Sequence, residues 1–235
     1  VRTQREKLVE AAVELLERDG VQALSARNLA AKLGTSTMAV YTHFGSMAGL
    51  LDAVGDAALS RFAESLAHCP PTDDPVADFL VMSLAYHRFA LSNPQRYQLI
   101  FGTETPQPIL AVRPDVTVSG RPTDRPEWAV SFKGLHAVVR RMIAAGRIRD
   151  EGSLAMAARL WTLCHGAVTL EMAGFFGNEG HGLAQIMLPL LVDTLVGVGD
   201  ERDRTAASLA TAIELFSSTA LAAGRAAVRS GRGMM

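Results

Sequence analysis

Apolar residues in this chain recur at helical spacing almost from end to end, and no stretch sustains the alternation that a strand requires. Leu8, Ala12, Leu15 and Leu16 fall at i, i+4, i+7 and i+8, one face of a helix. Thr3 with Glu6 three residues on has the form of a capping box, and Gly20 is a stop, which predicts a first helix over 3–19. Ser25 can cap Ala26–Leu33, ended by Gly34. Ser36 can cap 37–43, and Ser46 a longer helix over 47–67. The period returns over 76–91, breaks at Asn93-Pro94, and leaves 94–101 as a short helix. Further helices are predicted over 127–145, over 153–176 with Ser153 as cap, over 183–196 with Pro189 inside, and over 202–229. Between them, 102–126 holds five prolines and no period, which makes it a long loop. The fold class is therefore all-α.

The stretch "HCPPTDDP" (68–75) is the strongest punctuation in the first half. It divides a small N-terminal unit, residues 1–50 with a connecting helix to about 67, from a larger helical unit, 51–235. With 49% hydrophobic and 20% charged residues the chain can bury a sizeable core and is no disordered tail. A formal net charge of −1 means that any nucleic-acid site must be a local patch. Cys69 and Cys164 lack CxxC partners, so two reduced thiols are expected rather than a disulfide scaffold. The first residues lead into a charged amphipathic segment instead of an apolar signal region. No apolar run approaches the roughly 20 residues of a membrane span. A cytoplasmic protein with no membrane partner is expected.

Two short helices joined by "LGTS", with a preceding helix to pack on, form a helix-turn-helix and its support. Leu15, Leu16, Leu24, Leu29, Leu33, Val40 and Phe44 can make its core, which leaves Thr37, Met38, Tyr41 and Thr42 outward. Hydroxyls, a thioether and an aromatic suit base edges, thymine methyls and phosphates better than they suit plain solubility. The second helix of such a pair enters the major groove of double-stranded DNA by its N-terminal residues. Pattern alone also allows a plain helical bundle. Charge does not decide, because residues 1–50 carry six basic and five acidic side chains. Arg27 and Lys32 are placed to meet phosphates.

Residues 3–51, and above all "ALSARNLAAKLGTSTMAVYTHFGSMAGLL", resemble the DNA-binding domain of the TetR family of bacterial repressors. Ala30, Gly34, Ser36, Tyr41, His43 and Phe44 carry the match. The resemblance implies phosphate contacts from Ser25, Arg27, Tyr41 and His43, and contacts to bases or nearby backbone from Thr37, Met38, Ala39 and Thr42, with Ser36 opening the reading helix. Thr35, Gly45 and Met47 depart from the family pattern, the last where a phosphate-binding lysine is common. These departures bear on phosphate affinity and not on the fold. The resemblance further implies a C-terminal domain for ligand binding and dimerisation. A homodimer is expected independently, because one short helix reads few base pairs and two on a twofold axis read a palindrome. Its surfaces are 153–176 paired with 183–196 or with 202–229.

"RLWTLCHGAVTLEMAG" resembles TetR-related regulators with a Trp-His-Gly signature, here Trp161, His165 and Gly166. Trp161 and His165, with Cys164 and Met172, either line a pocket or pack as core with a hydrogen-bonded histidine. Tyr86 and Phe89 form one aromatic stripe, and Trp128, Phe132 and His136 another. These are the candidate ligand residues, and they suit a small apolar or aromatic effector. No HExxH, HxxxH or nucleophile elbow occurs, so no metal, cofactor or enzymatic activity is expected. The expected function is a ligand-responsive repressor on a palindromic operator. The alternative is a helical small-molecule-binding or adaptor protein that no longer reads DNA.

Overall fold

The computed structural model describes residues 2–67, 71–102, 114–121, 129–177 and 180–232, those beyond 219 as backbone only. These residues hold eleven α-helices and no β-strand. No helix among them is long and apolar enough to cross a membrane.

The first helix, α1 (Gln4–Asp19), begins at the predicted capping box: Thr3 Oγ1 accepts from Glu6 N at 3.2 Å, and the Glu6 carboxylate accepts from Thr3 N at 2.7 Å. Ser25 caps α2 (Ala26–Leu33) through Asn28 N, and Gly34 ends it at φ 61, a left-handed conformation that favours glycine. Ser46 caps α4 (Met47–Leu66) through Gly49 N. Ser36 stands at the N-cap of α3 (Thr37–Phe44), but its side chain makes no capping bond. The amide it would serve, Ala39 N, already donates to the Ser36 carbonyl. Leu8, Leu15, Leu16, Leu29, Val40, Leu50 and Val54 are buried together under these four helices. Leu24, Leu33 and Phe44 pack half-buried at the rim of that core.

The larger unit comprises α5 (Pro75–Ser92), α6 (Pro94–Phe101), α8 (Val130–Ala144), α9 (Ser153–Met172), α10 (Leu188–Gly197) and α11 (Arg202–Arg232), with one turn, α7 (Val116–Ser119), inside the predicted loop. Asp74, not a serine, caps α5 by accepting from Val76 N and Ala77 N. Ser153 is the first residue of α9 and caps nothing; its hydroxyl meets His136 Nε2 at 2.9 Å. The single helix predicted over 183–196 is a π-helical turn, Gly182–Met187, followed by α10. The widened turn, closed by Leu188 N donating to Leu183 O, ends just before Pro189, which falls in the first turn of α10. The helix α11 packs along α5.

Two buried polar groups tie these helices together. Arg147, in the α8–α9 turn, bonds both oxygens of Asp200 at 2.7 and 2.8 Å, Asp74 Oδ1 at 2.9 Å and Ser208 Oγ at 3.0 Å. His87 of α5 meets Glu171 of α9 at 2.8 Å, and Gly182 gives that carboxylate room, since a methyl group there would overlap it. The buried arginine is held this way, by several partners at once.

Candidate DNA-reading surface and effector cavity

The eight residues of α3 bury only Val40. Met38 and Tyr41 are 67% and 46% exposed, an unusual state for such large side chains and one that leaves them available to a partner. Thr37, Thr42 and His43 are exposed beside them, as is Ser36, while Ala39 is half-buried. The structure brings Ser25, Arg27, Thr37 and Tyr41 to one cleft between the starts of α2, α3 and α4, with Met47 on its wall. The hydroxyls of Thr37 and Tyr41 have no partner among the described residues, so both can donate outward. Thr42 Oγ1 donates to Met38 O at 2.9 Å, which spends its proton and leaves it an acceptor and a methyl.

Arg27 is exposed and makes no ion pair among the described residues. Lys32 is different: its ammonium is paired with Glu14 of α1 at 2.7 Å, a pair that a phosphate would have to share or displace. Arg5, which the sequence reading passed over, lies over the Phe44 ring at 5.1 Å, beside the end of α3. Its only sequence signal is a basic residue in the first turn of α1.

A second site lies among α4, α5, α6, α7, α8 and α9, a cavity of about 190 Å³. Of the predicted ligand residues, Tyr86, Phe132 and Trp161 stand on its wall. Cys164 does too, with its thiol 3.7 Å from Ser83 Oγ and its pKa pushed up to about 11 by burial. Leu59, Phe62, Phe79, Met82, Ile100, Phe101, Leu135 and Leu160 also line it and were missed, because in sequence they look like any core residue.

Phe89, His136, His165 and Met172 do not line the cavity. Phe89 packs on Phe62 at 5.1 Å between ring centroids, His136 turns to Ser153, and Met172 packs against the core. His165 lies behind the wall: its Nδ1 is 2.6 Å from the Tyr97 hydroxyl and 3.0 Å from that of Tyr86, and the two hydroxyls are 2.8 Å apart. With Nδ1 as acceptor, Tyr97 donates to it and Tyr86 donates to Tyr97, which satisfies both protons. Burial, and then the neighbouring Tyr97, raises the Tyr86 phenol well above its ordinary pKa, so it stays neutral. Gly166 serves no close approach among the described residues, for a methyl group added there would meet none of them within 4 Å. Trp128 lies outside the described residues.

An exposed short helix on a helix-turn-helix, joined to a helical body with an apolar cavity, is the arrangement of a DNA-binding transcriptional regulator. Comparisons with known proteins agree. Residues 8–54 match the family model described as bacterial regulatory proteins, tetR family, and residues 79–195 match the tetracyclin repressor-like C-terminal domain. An uncharacterised HTH-type transcriptional regulator of Mycobacterium tuberculosis is 30% identical over 72% of this chain and 71% of its own length. The class A tetracycline repressor from transposon 1721 of Escherichia coli is 39% identical over 36% of this chain and 38% of its own. A structure from Rhodococcus sp. RHA1 superposes with a TM-score of 0.68 at 23% identity, over 85% of this chain and 97% of that one. The chain belongs to the TetR family.

Proposed function

We propose that this regulator is a repressor that binds a palindromic operator as a homodimer and leaves it when a small apolar effector enters the cavity. The observation that carries the coupling is the double contact of two helices. The first half of α4 packs on α1 and α3, while Leu59, Phe62 and Leu66 from its second half wall the cavity. The short helix α6 offers Ile100 and Phe101 to the cavity and Arg96 to α1, where Arg96 pairs with Glu17 at 2.5 Å. An effector that prefers a different setting of α4 and α6 draws the dimer away from the DNA-competent arrangement. Operator DNA then weakens effector binding by the same factor.

The reading residues proposed are Ser25, Arg27, Ser36, Thr37, Met38, Ala39, Tyr41, Thr42 and His43. The proposed dimer surface is α9 with α10. Thr162, Gly166 and Leu170 form an exposed stripe on α9, continued by Ala173 at its C-cap, and Leu190 is 46% exposed on α10. The inner face of α11, by contrast, is already taken by α5. Twofold pairing must set the two α3 helices about 34–36 Å apart, or a multiple of it, to meet successive major grooves.

Selection of duplexes from a random-sequence pool at moderate salt tests the reading. Enrichment of one palindrome is expected. No enrichment by a folded dimer would replace the repressor with the DNA-silent ligand binder. The coupling has its own test in Arg96→Ala. Arg96 Nε is buried with no partner among the described residues, so the pair with Glu17 is what holds this guanidinium on α1. Effector affinity without DNA should stay within about threefold, while the factor by which effector lowers operator affinity should fall about tenfold, a change of about 1.4 kcal/mol in coupling. An undiminished coupling factor would remove Arg96 from the path.

A further inference from the structure

We infer that the cavity selects an uncharged aromatic molecule of one ring, or two fused rings, carrying no more than one hydrogen-bonding group, and that Ser131 is the residue that meets that group. The inference rests on the reading of the cavity as the effector site.

The wall has no Asp, Glu, Lys, Arg or His among the described residues. A carboxylate or ammonium inside would lose its hydration and find no counter-charge. The hydroxyls that might have served a polar ligand are already committed. The Tyr86 hydroxyl is taken by Tyr97 and His165 off the wall and by Trp161 on it. Ser83 Oγ donates to Phe79 O at 2.9 Å and faces the Cys164 thiol. Ser131, half-buried at the start of α8, is the one hydroxyl on the wall with no hydrogen-bond partner among the described residues.

Size and shape narrow the class further. A dry apolar cavity of about 150 Å³ holds benzene, and this one measures about 190 Å³. Its rings already meet at angles rather than in parallel: Phe132 stands at 69° to Trp161, and Phe62 at 80° to Phe101. Edges and faces are thus both offered to a flat guest, the arrangement aromatic pairs prefer.

The test uses three molecules of matched shape, ethylbenzene, benzyl alcohol and benzoate, with binding to the full-length protein measured by calorimetry in the absence of DNA. Ethylbenzene is expected to bind at least 30-fold more tightly than benzoate. Ser131→Ala should weaken benzyl alcohol three- to tenfold and leave ethylbenzene unchanged. Ser131→Trp, at a half-buried position that tolerates bulk better than the core, should fill the space and weaken ethylbenzene at least tenfold. A smaller gap to benzoate, no ethylbenzene binding up to its solubility, an equal effect of Ser131→Ala on both neutral ligands, or full ethylbenzene binding to Ser131→Trp would each overturn the inference. Operator release is measured separately. Release by a charged ligand that binds better than ethylbenzene sinks the ligand class and leaves the repressor standing. Ethylbenzene binding as described, with no compound of the class releasing operator, leaves the cavity chemistry standing and sinks its regulatory role.

Discussion

Arg147→Ala is expected to lower folding stability by about 3–5 kcal/mol. The guanidinium is 5% exposed and the Asp200 carboxylate 1%, so removing the arginine strands a carboxylate away from water. The loss spreads, because the same side chain joins the α8–α9 turn to the N-cap of α5 through Asp74, to Asp200 just before α11, and to α11 itself through Ser208. Urea unfolding at fixed protein concentration measures it, the concentration held because a dimer's stability depends on it. A loss under about 1 kcal/mol would mean that water reaches Asp200 easily. The network also fixes an acid dependence. Burial raises both carboxyls, but hydrogen bonds from Ser208 and Ala77 N to Asp74, and from Arg147 and Thr205 to Asp200, outweigh it and hold both below the ordinary range. The unfolded chain therefore binds their protons first. Their contribution is complete above the free carboxylate pKa of about 3.9 and is lost as pH falls through the folded values. In Arg147→Ala this part of the acid slope should flatten.

Nothing near Arg147 in the sequence sets it apart from Arg149 two residues on. Its partners lie 53 and 73 residues away, and only the fold brings them together. What local sequence does reveal is short-range: Thr3 with Glu6, Ser25 with Asn28 and Ser46 with Gly49 each join a cap to an amide three residues on. The same pattern misled at Ser36 and Ser153, whose helices start with other bonds. The outward face of α3 was legible for a related reason, since one buried residue, Val40, fixes which side is left. The cavity was legible only through its aromatic stripes. A stripe says that a face is apolar, but whether it meets another side chain or a gap depends on helices far apart in sequence. Hence Phe132 and Trp161 reach the cavity, while His165, one turn beyond Trp161, is claimed by Tyr97 of α6.

The double substitution Thr37→Ala/Tyr41→Phe is expected to cut operator affinity about 1000-fold. Each hydroxyl is exposed at the cleft beside Arg27 and has no partner among the described residues, so these substitutions remove chiefly what the hydroxyl would give to DNA. A hydrogen bond of this kind is worth about 1 kcal/mol, and a twofold dimer carries four of them, for about 4 kcal/mol in all. Stability should stay within about 0.5 kcal/mol, as for other surface changes that break no cap and open no cavity. Effector affinity without DNA should not move. Because both residues are neutral, the slope of log affinity against log salt should hold, whereas Arg27→Ala should reduce it by about 2 in the dimer, one per half-site. The pair of slopes separates the roles. A double variant that still binds the selected palindrome within about threefold would show that α3 does not enter the groove by its N-terminal turn. A lower salt slope in the double variant would show instead that its loss came from a shifted docking, with arginine contacts broken along with the hydroxyls.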